Sequence, residues 1–129
     1  MSASKSAYLR AAIYNAIYKA TAFTGPATMY MSLHTADPGL TGANEITGNA
    51  YARTAIAMTT PTAGAGSNSG VVTTPAPTPA NWGTATHFAI WDAATVGNCL
   101  IHDALTNPIA TSIGVPISFP VGSITGAET

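Results

Sequence analysis

Charged side chains are scarce in this chain. Asp, Glu, Lys and Arg together make up 7% of its 129 residues, whereas about 25% is usual for a globular domain. The net charge is −1, and no cluster of Lys or Arg offers a surface for phosphates, so nucleic acid is not expected as a partner. A surface with so little charge has to be covered by Thr, Ser, Asn, Ala and Gly or by other subunits, which predicts a protein packed against neighbours.

Cysteine and long apolar runs are also lacking. The single Cys99 excludes an intrachain disulfide, and we expect it to be a small buried hydrophobe because no nearby base or helix start would lower its pKa. No apolar run is long enough to span a bilayer, so no membrane partner is expected. Asn15 and Lys19 interrupt the N-terminal apolar stretch, which predicts synthesis in a cytoplasm without a signal peptide.

Catalytic groups are few and scattered. The acidic residues show no paired-carboxylate spacing, and no glycine-rich phosphate loop precedes a helix; these acids are Asp37, Glu45, Asp92, Asp103 and Glu128. The sequence therefore predicts a protein that is not an enzyme and has no cofactor. One catalytic alternative remains, a metal-dependent hydrolase in which His87 and His102 on paired strands share a metal with Asp103 or His34. The ligand spacing is poor, which favours histidines that form local hydrogen bonds or lie at an interface.

One segment has helical periodicity. Apolar residues recur at three- and four-residue spacing from Leu9 to Ala20, which predicts an amphipathic helix over residues 4–22. Ser2, Ser4 or Ser6 is placed to cap its start. Gly25-Pro26 is expected to stop it.

The rest of the chain alternates in the manner of short strands. This pattern predicts a mainly β fold, an antiparallel β-sandwich or jelly roll over residues 28–125, preceded by the one N-terminal amphipathic helix, in a single domain of residues 1–129. Residues 61–70 are expected to form a flexible tip or a long hairpin loop, Pro75, Pro77 and Pro79 to lie at an edge or outside the sheet, and Asn107-Pro108 to turn the chain. The predicted strands are 28–34, 51–58, 71–74, 84–91, 99–105, 109–113 and 115–121.

Trp82 precedes Gly83 and has two interpretations. It could be a sugar-stacking platform in a lectin-like module. A buried or subunit-interface aromatic residue is favoured, because large rings are typical of both settings.

Five segments, in order, resemble a family of small structural proteins of tailed bacteriophages. The resemblance spans roughly residues 8–119 and departs at Pro75 to Pro79, where relatives look more strand-like. The segments are Thr21–Thr24, Leu33–Gly39 (Leu-His-Thr-Ala-Asp-Pro-Gly), Asn44-Glu45, Tyr51–Arg53 and Trp82–Ala93.

The resemblance implies a virion component made in the cytoplasm of a bacterial host. Such proteins are called tail-fibre proteins in some genomes and resemble capsid cement or decoration proteins in others. The lack of a shaft repeat and the short chain favour a cement protein on the outer surface of the capsid, which bridges major capsid subunits and forms a dimer or trimer with itself. The alternative is a tail-fibre or tail-tip receptor-binding protein. Contacts are predicted at Tyr8, Tyr14, Tyr18, Leu40 and Trp82.

Overall fold

The computed structural model describes residues 4–127. The fold is mainly β, with one helix near the N-terminus, as predicted. Its elements are β1 (Ser4–Lys5), α1 (Ala7–Tyr18), β2 (Met29–His34), β3 (Thr54–Ile56), β4 (Ala65–Ser67), β5 (Val72–Thr73), β6 (Thr84–Trp91), β7 (Cys99–Ala110), β8 (Ser118–Phe119) and β9 (Thr125–Ala127).

All strand pairs are antiparallel. The main sheet has the order β1-β7-β6-β2-β3, and two small sheets pair β4 with β9 and β5 with β8. Side chains alternate across a strand, so Met31 and Leu33 of β2 and Phe88 of β6 enter one core. Val72 of β5 and Phe119 of β8 belong to the same core. The β5–β8 sheet therefore packs on that face of the main sheet, an arrangement consistent with a sandwich.

The opposite face of the main sheet is buried as well. Ser32, His34, Ala89 and Trp91 lie there and are almost inaccessible to solvent. The loop that follows β2 covers them, because the Ala43 carbonyl accepts a hydrogen bond from the His34 ring and Gly42 lies against the Trp91 indole. Burial on both faces explains why β2 and β6 were predicted almost to the residue.

The helix is shorter than predicted. It starts after Ser6, whose Oγ accepts a hydrogen bond from the Leu9 amide, and it ends at Tyr18 instead of residue 22. Ala20 adopts a positive φ of 53°, and the Lys19 and Thr21 amides both donate to the Asn15 carbonyl. The chain thus leaves the helix before Gly25-Pro26 is reached. A helix end without tertiary burial gains little from continuing.

Residues 61–70 form the predicted hairpin loop and not a flexible tip, because Met58 bridges Asn68 and Thr62 bridges Ala65 in antiparallel fashion. β4 lies within them and pairs with β9. The side chain of Asn68 is fully buried; its Oδ1 accepts from the Ile124 amide and its Nδ2 donates to the Gly70 and Pro120 carbonyls. One polar side chain therefore ties this segment to the C-terminal strand.

The predicted turn at Asn107-Pro108 is wrong, because β7 continues through it to Ala110. Between the register pairs His87–Ala104 and Ala85–Ile109 the ladder is irregular, and β7 carries the extra residues. Proline is tolerated at such a bulge because its position needs no amide donor. The predicted strands 51–58, 71–74 and 115–121 shrink to β3, β5 and β8, and residues 111–113 are not a strand.

Candidate attachment surface

Arg53 lies at the centre of a buried polar network. Its Nε and Nη2 donate to the two carboxylate oxygens of Glu45, both at 2.9 Å, and its Nη1 donates to the Ala93 and Val96 carbonyls at 3.0 and 2.7 Å. The guanidinium carbon lies 3.6 Å from the centroid of the Trp91 ring. This fork geometry satisfies the guanidinium almost completely, so Arg53 holds the 45–53 loop and the β6–β7 turn together.

Tyr51 extends the network to the main sheet. Its hydroxyl donates to Glu45 Oε2 and accepts from the Leu33 amide, each at 3.0 Å. Burial raises the pKa of the Tyr51 hydroxyl well above its usual value, since the phenolate would be desolvated. The hydroxyl therefore remains protonated and structural.

His34 forms a second chain of hydrogen bonds on the same face. The Trp91 indole N–H donates to Ser32 Oγ at 2.7 Å, Ser32 Oγ donates to His34 Nε2 at 2.6 Å, and His34 Nδ1 donates to the Ala43 carbonyl at 2.7 Å. Burial lowers the pKa of His34. The neutral imidazole has one donor and one acceptor, and both are used here.

Four of the five sequence segments that carry the phage resemblance meet in these two networks, and the fifth, Thr21–Thr24, lies in the exposed segment after the helix. Leu33–Gly39 supplies His34, Asn44-Glu45 supplies the carboxylate, Tyr51–Arg53 supplies the phenol and the guanidinium, and Trp82–Ala93 supplies Trp91. Every polar group in them is bonded within the chain, so this cluster stabilises the fold. Sequence reasoning missed the Glu45–Arg53 pair. In a chain so poor in charge, two opposite charges eight residues apart were the available signal.

The residues of the hydrolase alternative do not form a metal site over the described residues, although His34 and His87 are cross-strand partners in β2 and β6. Both ring nitrogens of His34 are engaged, and His87 Nδ1 lies 2.9 Å from Thr86 Oγ1. His102 Nδ1 lies 3.7 Å from Asp37 Oδ1, whereas Asp103, the next residue of β7, accepts from the Ala104 amide. Over residues 4–127 no three His, Cys, Asp or Glu side chains are grouped to hold a metal ion.

Trp82 is a core residue and is not exposed on a loop. Only 6% of it is accessible, its indole N–H donates to the Asn49 carbonyl at 2.9 Å, and its ring meets Tyr51 edge-on at 5.3 Å. Trp82 is therefore not exposed on the chain, as a contact or glycan-stacking residue would be. The interpretation of Trp82 as a buried aromatic residue agrees with the structure. Cys99 is also buried, and burial raises the pKa of its thiol to about 11.

The helix presents an exposed aromatic face. Its inward residues Leu9, Ala12 and Ile13 are only half-buried against the sheet, and none of its residues is fully buried. On the outward face Tyr14, Ile17 and Tyr18 are 54%, 66% and 72% exposed. The two tyrosine rings stack at 4.8 Å. An exposed apolar patch of this kind is often a functional surface.

The exposure continues beyond the helix. Every residue from Ala16 to Gly25 is exposed. The C-terminal half of the helix protrudes from the β domain, whereas Phe23 and Thr24 return to line a small pocket with Asp92 and Leu100. We name residues 14–25 the arm. Its base is fixed, because the Ser6 amide donates to the Leu100 carbonyl at 2.8 Å and the Ala7 amide donates to the Leu40 carbonyl at 3.0 Å.

The arm region carries positive charge and no negative charge. Arg10 lies four residues before Tyr14, on the same side of the helix, and Lys19 follows Tyr18; both are exposed. The sequence has no Asp or Glu before Asp37. Tyr8 and Leu40, at the base of the arm, are 41% and 47% exposed. Four of the five predicted contact residues thus lie on the helix or beside its start; whether they make contacts stays a prediction.

Comparison with known proteins gives one family-level finding. The chain matches the family model Gp80, described as podophage GP4 fiber I protein gp80, over residues 4–127. A search of curated proteins gave no match. Within the described residues no helix is long and apolar enough to cross a membrane.

Proposed function

Because the chain belongs to the podophage GP4 fiber I protein gp80 family, we propose that it is a non-enzymatic component of the phage tail-fibre assembly, attached through its arm. Membership makes the chain a structural protein of a bacteriophage. The observation that supports attachment is the outward Tyr14, Ile17 and Tyr18 face on a protruding helix.

The energetics favour a surface that another protein covers. A fully buried aromatic or aliphatic side chain is worth roughly 1.5–3 kcal/mol relative to an exposed one, so three adjacent side chains supply a useful part of a binding energy. Tyrosine suits this role because a large rigid ring loses little conformational entropy. Little charge has to be desolvated elsewhere on a chain that is only 7% charged.

The β domain acts as a rigid mount for the arm. The Arg53 and His34 networks lock the loops on one face of the main sheet, while the apolar core fills the other. The backbone hydrogen bonds at Ser6 and Ala7 then fix where the helix starts. A surface held on rigid elements binds with a smaller loss of entropy than a free peptide does.

Capsid cement is the second candidate. A compact β domain with a protruding arm and few charges also suits a protein that docks on the outer surface of the shell and bridges major capsid subunits, where many weak contacts add up. The family description favours the fibre. A tail-tip receptor-binding role through Trp82 has less support, because that ring is buried.

The test replaces the two tyrosines of the arm. Phage carrying Tyr14→Ala and Tyr18→Ala together should assemble particles with at least about tenfold less of this protein, since two contact side chains are lost. Quantitative mass spectrometry of purified virions measures this occupancy. The purified variant should unfold at the same temperature as the parent, because both side chains are exposed.

A matched control removes exposed apolar side chains elsewhere. Ile113 and Val115, 59% and 55% exposed, lie in a turn outside the arm. Replacing both with Ala should leave occupancy unchanged. Equal occupancy of the parent and the tyrosine variant would show that the arm is not the attachment surface.

A further inference from the structure

We propose that the partner of the arm is a second copy of this chain, and that two copies exchange arms, each placing its arm in a groove of the other. The inference rests on the proposed role of the arm as an attachment surface and names what it binds.

The receiving groove lies beside the C-terminal end of the arm, and not beside its base at Ser6 and Ala7. It is a cavity of about 570 Å³ between residues 26–29, 55–58 and 69–72, at the free edge of β3. Its lining contains no charged residue. Val71 is 62% exposed there, and Met29 and Met58 are half-buried. Methionine side chains are flexible enough to fit an incoming ring.

The arm and the groove match in chemistry. Tyr14, Ile17 and Tyr18 are uncharged, and the groove wall is an uncharged mixture of apolar and polar groups that includes Thr28 and Ser69, so their contact buries no ion. Arg10 and Lys19 flank this face and would stay at a solvated rim, as charges do in protein interfaces. An acidic partner protein would instead form ion pairs with these two cations, and its binding would weaken in salt. The salt dependence of binding therefore distinguishes an acidic partner from a second copy of this chain.

The position of the groove allows the exchange to be reciprocal. Residues 26–28 of its wall follow the arm directly in the chain. When one arm reaches the partner's groove, the C-terminal end of the partner's arm lies beside it, and a two-fold axis between the copies repeats the contact. Both arms and both grooves are then used, so the arm retains the chain in the particle by joining it to its partner copy.

The contact area also favours two reciprocal contacts over one. The three arm side chains expose on the order of 400 Å², which is short of the roughly 800 Å² that each partner buries in a stable complex. Reciprocal exchange covers the arm and the groove of each copy, which about doubles the area. A single arm in a single groove would form only a weak complex.

The experiment measures the mass of the full chain in solution by sedimentation velocity. The parent should form a dimer. Ile17→Lys in the arm and Val71→Asp in the groove should each weaken dimerisation by about tenfold or more. Ile113→Lys and Val121→Asp, at residues 59% and 60% exposed outside both surfaces, are the matched controls and should leave the dimer intact.

Mixing the two damaged variants gives the sharpest result. In a pair formed by one copy of each, the ammonium introduced into the arm by Ile17→Lys would meet the carboxylate introduced into the groove by Val71→Asp. The second contact of that pair would join two unaltered surfaces. The mixture should therefore dimerise although neither variant does so alone.

The dimer of the parent should persist in 0.5 M NaCl, where the Debye length is on the order of 4 Å.

Three results would overturn the inference: a monomeric parent, controls that weaken the dimer as much as the test variants, or a mixture that stays monomeric. These outcomes are separable from the proposed function. If the tyrosine variant is lost from virions and the parent is a monomer, attachment through the arm is supported and a second copy is excluded as the partner. A dimer that depends on the arm, with unchanged virion occupancy, removes attachment through the arm.

Discussion

Trp91 shows how single residues determine the loop packing of this protein. Arg53 stacks on its ring, Ser32 accepts its indole N–H, and the indole leaves no room beside Gly42. With the ring held on these sides, neighbouring atoms have little freedom to move. The residues around Trp91 should therefore be sensitive to small changes in volume.

Gly42 gives the most direct test of this packing. It has a φ of +80°, and an added Cβ would lie 2.5 Å from Cζ2 of Trp91. Gly42→Ala should lower the free energy of unfolding by about 1–3 kcal/mol through this clash, in addition to the cost of a left-handed alanine. Urea denaturation measures the loss.

Gly48 is the matched control for Gly42. Its φ of +77° is almost the same, but nothing lies within 4 Å of an added Cβ. Gly48→Ala should therefore show only the backbone cost, about 1–2 kcal/mol. Equal losses for the two variants would mean that the Trp91 ring moves aside without cost.

His34 should make stability depend on pH. Burial lowers its pKa below the ordinary value of 6.5, so below about that pH the unfolded chain binds a proton that the folded chain does not. The contribution of His34 is fully present above pH 6.5 and is lost as the pH falls towards the folded-state pKa. The slope cannot exceed about 1.4 kcal/mol per pH unit for one group.

The measurement is the free energy of unfolding in urea between pH 5 and pH 8. His34→Asn keeps a donor for the Ala43 carbonyl but cannot titrate. This variant should be less stable at pH 8 and should show a flatter slope between pH 6.5 and 5. An unchanged slope would assign the pH dependence to another group.

At the scale of elements, the predictions succeeded where the sequence pattern ran along a whole strand. β2 and β6 alternate over six and eight residues, and the sequence displayed that alternation directly. β3, β5 and β8 are only two or three residues long, so apolar residues beside them suggested longer strands. Their ends depend on tertiary hydrogen bonds, which no local pattern reveals.

Two errors have the same physical origin. Asn107-Pro108 favours a turn by local propensity, but pairing with β6 continues past it and accommodates the proline in an irregular stretch of the ladder. The composition of residues 61–70 is typical of a flexible loop. In the structure, however, the Asn68 side chain bonds the nearby Gly70 carbonyl and two backbone groups far along the chain, at Pro120 and Ile124. Tertiary context overrode local preference in both cases.

The candidate surface was partly predictable. Tyr14 and Tyr18 were placed together by their four-residue spacing, and both rings are exposed and in contact. The orientation of the helix was not predictable, because the expected apolar stripe ran from Leu9 to Ala20 and only its first half lies against the sheet. For Trp82 the favoured interpretation as a buried or subunit-interface aromatic agrees with its burial, but sequence alone did not decide between a buried ring and an exposed contact.

At the scale of the whole molecule, the features combine into a rigid β domain that carries an exposed, cationic and aromatic arm. The domain is stabilised by an apolar core on one face of the main sheet and by polar networks on the other. The few charges are either used internally, as in Glu45–Arg53, or lie on the surface. This division suits a protein whose task is to bind neighbours within a particle.

The number of copies per virion tests the central claim most directly. Quantitative mass spectrometry of purified particles, with the major capsid protein and a tail-fibre protein as internal standards, measures it. The account predicts a copy number in proportion to the tail fibres and far below that of the major capsid protein. A copy number comparable to the major capsid protein would contradict it and place the chain on the shell as a cement protein.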